Sequence, residues 1–114
     1  MVTKKTIKVP IYDYKVVIVV ADAWEEAHEL YPSIELEGRA CVLEGSDHSI
    51  IAIPPHQPDL IVHECVHLKN CIWNYIGYKP IADNDEVDAY LVEYLFNQVS
   101  KVVAKHNLAT HITQ

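Results

Sequence analysis

Hydrophobic and polar side chains alternate from Ile7 to Tyr12, and beyond Asp13 and Tyr14 an unbroken apolar run, VVIVVA, extends from Val16 to Ala21. Alternation with period two predicts a strand covered on one face, and a short β-branched run predicts a buried strand. Pro10 cannot donate to a ladder, which places the first strand at a sheet edge. From Asp22 the period changes. Trp24, Ala27, His28 and Tyr31 recur at helical spacing, Asp22 can cap and Pro32 ends the pattern, giving a helix of about ten residues. Ile34 to Leu43 and Ser49 to Ile53 read as two more strands around a turn at Gly45, Ser46 and Asp47, and Pro54 and Pro55 stop the second. Asp59, after Pro58, begins a helix that runs through Ile61, His63, Glu64, His67, Leu68 and Cys71 to Tyr75 or Ile76, where Gly77 closes it. A last helix starts near Asp83 or Asn84, continues through Tyr90, Leu91, Leu95, Val99 and Val103, and frays from Asn107.

The order β-β-α-β-β-α-α predicts a single α+β domain over residues 1–114, with a small, mostly antiparallel sheet packed against three helices. That length buries one core without staples. Half of the residues are apolar and 22% are charged, the balance of a globular chain. A formal net charge of −7 argues against attraction to nucleic-acid phosphates or anionic lipid, so neither nucleic acid nor membrane is an expected partner. No run approaches the roughly 20 apolar residues a membrane span requires. Lys4 and Lys5 ahead of VVIVVA, with Ala21 and Ala23 after it, superficially resemble a secretion signal, but the run is too short and Asp13 and Lys15 interrupt its approach; it reads as a buried strand. Three cysteines, Cys41, Cys65 and Cys71, have no paired spacing, which fits a reducing cytoplasm better than a disulfide scaffold.

The chemistry concentrates in residues 63 to 67, HECVH. Histidines four apart on a helix lie one above the other, so His63 and His67 can reach one ion, and the intervening Glu64 is placed to act as a base. With seven His and nine Glu, H-E-any-any-H arises in roughly 3% of shuffled chains, so the motif needs support from its surroundings. A catalytic zinc takes three protein ligands and leaves a fourth position open. Cys71 lies about 12 Å along the helix from His63, too far to share an ion, and reads as core. Glu86 stands at the start of the next helix, which a short loop folds back beside the first. Against ligation, Asp83 and Glu86 have the spacing of a capping box. Glu93, two turns further on the same face, is the reserve ligand, while Asp85 and Asp88 read as solvated or capping groups. His28, His48, His56, His106 and His111 are scattered and read as surface residues.

HECVH, eighteen further residues and then Glu86 within NDEVDAYL resemble the gluzincin type of zinc peptidase. The stretch HECVHLKNCIWNYIGYKPIADNDEVDAYLVEYL is similar to small HExxH metallopeptidases of phage and prophage genomes, over the last third to half of the chain. The resemblance implies a zincin-like fold, Zn2+ held by His63, His67 and Glu86, Glu64 as general base, and a peptide or protein as substrate. The chain lacks the large second lobe that forms the cleft in many gluzincins. In such a mechanism the ion polarises a carbonyl and acidifies water while Glu64 moves the proton to the leaving amine. Tyr90, one turn beyond Glu86, is the candidate to stabilise the developing oxyanion, with Tyr75 and Tyr78 as alternatives; a core role for Tyr90 fits equally well. Ser49 to Ile53 is the expected edge strand for an extended peptide.

Two rivals remain in view. The site could hold zinc inertly while the acidic helix around Glu25, Glu26 and Glu29 meets a protein partner, or HECVH could be a coincidence in a metal-free domain. Gly38, Gly45 and Gly77 are too dispersed for a nucleotide loop. Cys65 faces away from the histidines and does not suggest a nucleophile.

Overall fold

A computed structural model describes residues 1–113, with side chains to His111. The elements are β1 (Val2–Val9), β2 (Tyr14–Ala21), α1 (Trp24–Leu30), β3 (Cys41–Glu44), β4 (His48–Ile53), α2 (Pro58–Ile76) and α3 (Glu86–Thr113). The class is α+β, with four strands and three helices.

The sheet has the order β1-β2-β4-β3. β1 pairs antiparallel with β2 and β3 antiparallel with β4, but β2 and β4 are parallel, with Val16 opposite Ser49 and Val20 opposite Ile53. The sheet is therefore mixed: two of its three pairings are antiparallel, as a mostly antiparallel sheet requires, but the central one is parallel, which corrects the expectation where it matters for the edges. The cause is the connection. After β2 the chain crosses one face of the sheet through α1, and the β3-β4 hairpin returns with β4 pointing the same way as β2. The same topology corrects the edge. β4 is flanked on both sides, and Ser49 is fully buried with its hydroxyl 2.6 Å from that of Tyr14; the exposed edges belong to β1 and β3. β1 is an edge strand as Pro10 suggested, although Pro10 itself falls just past its end.

The central strands explain the uninterrupted apolar run. Val16, Ile18 and Val20 of β2, with Ile51 and Ile53 of β4, face α2 and α3, whereas Val19, Ala21 and Ala52 face Ala27 of α1 and Ile34. Ile61, Cys65, Leu68 and Ile72 carry α2 onto this sheet, each at most 4% exposed, and Leu91, Leu95 and Val99 do the same for α3. Pro at the first helical turn and Gly77 at φ 74° bound α2, the second because a left-handed residue closes a helix at least cost when it is glycine.

Other boundaries differ from expectation for local reasons. Residues 34–40 alternate like a strand but form turns, pinned by Trp24 Nε1 donating to Glu35 O at 2.8 Å and His28 Nδ1 to Ile34 O at 2.5 Å; the ladder begins at Cys41. Asp22 does not cap α1. Ala23 is the cap residue, its N–H donating to Glu26 Oε1 at 3.1 Å. His106, expected at the surface, is 1% exposed, its Nε2 2.8 Å from Asp22 Oδ1 and its Nδ1 2.7 Å from Thr3 Oγ1. That ring ties β1 and the end of β2 to α3. α3 starts later than expected, because a turn in which Asn84 N donates to Ile81 O at 3.0 Å precedes it, and it is helical from Asn107 to Thr113 where fraying was expected. Gln114 lies outside the described residues.

Leu68 is fully buried between the sheet and α3, so Leu68→Ala is expected to cost about 2–5 kcal/mol by cavity formation. Urea unfolding of the variant beside the parent measures this through the transition midpoint.

Candidate metal centre

The apolar residues that dock α2 fix the direction of all its other side chains. With about 100° of turn per residue, burial of Ile61, Cys65, Leu68 and Ile72 sends His63 and His67 to the opposite, solvent-facing side and Glu64 toward β3. The two imidazoles converge, His63 Nε2 and His67 Nε2 lying 3.3 Å apart with ring planes at 74°. Two nitrogens bound tetrahedrally at about 2.0–2.1 Å from zinc are separated by about 3.3 Å, so the pair has the spacing such an ion demands. Glu64 Oε2 is 3.7 Å from His63 Nε2, and the Glu64 side chain is only 9% exposed against 65% for His63. A sheltered carboxylate beside two accessible imidazoles is the arrangement a general base needs: reachable from the site, poorly hydrated, and held by the helix.

Glu64 and His67 open onto a groove of about 470 Å3 between α2 and β3, whose other wall is formed by Ala40, Cys41, Val42 and Glu44. One side of β3 is paired with β4 and the other is an unpaired edge. The sequence reasoning assigned the edge role to the neighbouring strand and missed this wall. A short CVLE segment after a turn-rich stretch was its only signal.

The downstream candidates lie on α3, which packs antiparallel to α2. Asp88 receives Lys69 Nζ at 2.8 and 2.9 Å and Trp73 Nε1 at 2.7 Å, so it is a clamp and not a solvated group. Because Asp88 docks at Lys69 and Trp73, Glu86 falls alongside the final turns of α2, past the histidines. Among the described residues no three His, Cys, Asp or Glu side chains form a group that could hold a metal. The contacts of this site join His63 to His67 and to Glu64, and among the described residues they do not include Glu86. Glu86 is also not the third residue of a capping box with Asp83, since it is the first residue of the helix. Among the described residues its carboxylate has no hydrogen-bond or ion-pair partner, and Tyr90 on the next turn is 65% exposed, not core. Glu93 lies further along, on a surface depression with Val62, Ala89 and Phe96, closer to the level of His63 than Glu86 is.

The thiols do not compete for this chemistry. Burial, with the charge of Glu64 adding to it, pushes Cys65 up to about 12 and Cys41 up to about 11, so both hold their protons at neutral pH and are poor ligands and nucleophiles.

Burial works against ionisation of Asp88, but the hydrogen bonds from Lys69 and Trp73 outweigh it and hold the carboxyl below the usual carboxylate value. A lowered folded-state pKa stabilises the protein above the unfolded value near 3.9, and that contribution is lost as pH falls through the folded value. Asp88→Asn is expected to lower stability at pH 7 by about 1–2 kcal/mol and to weaken the loss of stability in the parent below about pH 4. Thermal unfolding of both proteins from pH 7 to pH 3 measures it, and parallel curves would remove the clamp. Comparison of the chain with protein-family models, with curated proteins and with solved structures gives no match in any of the three.

Proposed function

We propose that the protein is a zinc-dependent hydrolase, a peptidase of the gluzincin-like phage type and zincin-like in fold, acting on a peptide or protein in a reducing cytoplasm. The observation that carries the reading is the convergence of His63 and His67 at 3.3 Å beside a sheltered Glu64. His63 and His67 would supply two of the three protein ligands that a catalytic zinc takes. Glu86 would supply the third, with Glu93 in reserve. In support, the Glu86 carboxylate has no competing partner among the described residues, and it heads α3 directly after residues 79–85, where the chain is exposed and can adjust at little cost in packing.

Zinc, when bound, polarises a substrate carbonyl and makes an attacking water more acidic. Glu64 then takes the water proton and returns it to the leaving amine, a transfer favoured by its position facing the groove. The free edge of β3 suits an extended peptide added as a further strand, which would lay the scissile bond along the groove past Glu64 and His67. Tyr90, exposed on the same face of α3 as Glu86, would donate its hydroxyl to the developing oxyanion once the start of α3 has moved toward the histidines with Glu86.

A second reading has one specific observation in its favour. Val62 and Val66 on α2 and Val87 and Tyr90 on α3 are between 40% and 65% exposed, apolar side chains from which a strip for a protein partner would be built. On that reading the site binds metal inertly, or none, and the strip is the functional surface.

The untagged chain is expected to carry about one zinc, measured by plasma mass spectrometry, and His63→Ala to carry none. Glu64→Gln should keep the metal and lose at least about a hundredfold in turnover of a peptide library. Zinc retained with no cleavage by the parent would favour the second reading, and no zinc in the parent after reconstitution would end the metal proposal.

A further inference from the structure

The net charge of the chain hides a strong separation. Residues 1–12 carry Lys4, Lys5 and Lys8, residues 94–114 carry Lys101 and Lys105, and neither stretch contains Asp or Glu. The remaining residues, 13–93, hold four cationic side chains against sixteen acidic ones. The fold then places the two basic stretches side by side, since the C-terminal half of α3 crosses β1 where Thr3 meets His106.

Between them lies a pocket of about 200 Å3, lined by Thr3, Lys5 and Ile7 from β1 and by Gln98, Lys101 and Lys105 from α3, with Lys4 and Val102 beside them. Strand alternation puts Lys5 on the face of Thr3 and Ile7, toward α3, and Lys101 and Lys105 are one helical turn apart. Lys8 and Lys69 have carboxylate partners at 2.6 and 2.8 Å. Among the described residues Lys5, Lys101 and Lys105 have none. Lys4 serves elsewhere, its ammonium 5.3 Å from the centre of the Tyr31 ring, and Asp22, the acid of this cluster, is occupied by His106. Lysine on an edge strand is explained by protection against edge pairing, but that does not account for two lysines one turn apart on a helix that line the same pocket.

We propose that this pocket binds the phosphate group of a small phosphorylated molecule. Three unpaired lysines line one small volume; turned into it, their ammonium groups would repel each other and be compensated by a dianion better than by a single carboxylate, and lysine serves phosphate as a point charge. Ile7 and Val102 offer apolar contact to an organic body, and the volume suits a small molecule and not a nucleic-acid strand, which takes a long groove. The site shares no residue with the candidate metal centre, so its test is independent of that reading.

The test is calorimetric titration of the full chain at fixed ionic strength with phenyl phosphate, inorganic phosphate, benzoate and a short oligothymidylate. Saturable binding of phenyl phosphate, weaker binding of inorganic phosphate, none of benzoate, and at least about a tenfold loss in Lys101→Gln/Lys105→Gln are expected. Lys5→Gln, a single exposed change, gives the same reading should the double variant fold poorly. No saturable phosphate binding up to about 10 mM, equal binding by the variants, or oligothymidylate binding tighter than phenyl phosphate would overturn the proposal, the last by making the surface a nucleic-acid site.

Discussion

The docking of α2 on the sheet is the constraint from which the rest of the site follows. Ile61, Cys65, Leu68 and Ile72 are spaced four, three and four residues apart, so a single stripe of the helix meets Ile18, Ile51 and their neighbours. Once that stripe is fixed, no freedom remains in the direction of the others. His63 and His67 must face solvent, Glu64 must turn toward β3, and Lys69 and Trp73 must turn toward α3. Metal-assisted hydrolysis asks for accessible ligands and a sheltered base, and an amphipathic helix one residue out of phase with its own buried stripe supplies that contrast without any special backbone geometry.

α3 is the second long element, and its two halves answer to different neighbours. Its start is set by Asp88, whose bonds to Lys69 and Trp73 fix the register of the antiparallel helix pair. That register leaves Glu86 and Tyr90 at the exposed end, without hydrogen-bond or ion-pair partners among the described residues. Its second half is fixed by His106, fully enclosed between Thr3 and Asp22. A helix pinned at Asp88 and His106 can adjust only ahead of the first pin, in the segment that carries Glu86. Under the proposed function, bringing Glu86 to the histidines would move only residues ahead of Asp88, whereas Glu93, between the two pins, would reach them through its side chain alone.

The parts of the fold legible from sequence are those set by local rules. Pro58 and Gly77 bounded α2 within a residue or so because proline is tolerated only at a helix start and a left-handed φ ends one, and VVIVVA announced a strand buried on both faces. What the chain concealed is long range. Residues 34–40 have strand-like alternation, yet Trp24 and His28 take their carbonyls, and a period-two pattern does not reveal a competing hydrogen-bond partner. The parallel pairing of β2 with β4 depends on a crossover, so the edge strand was misassigned by one position. His106 bonds to residues 84 and 103 positions away, beyond the reach of any periodicity. Of the site, the HExxH spacing was visible because it is intrahelical, whereas the groove wall at Cys41 to Glu44 needed the sheet order.

The charge distribution makes the same point in a different currency. A total of −7 describes the attraction a distant ion feels, and at a Debye length of about 8–10 Å few ligands are sensitive to it. What a bound ligand meets is the charge within one such length, and that depends on which segments the topology makes neighbours. Here the first strand and the part of the last helix from residue 94 onward, each free of acids, are brought together by a histidine that neither segment's pattern singles out. Net charge therefore excludes a partner only when the acidic and basic residues are mixed in space, and in this fold they are sorted.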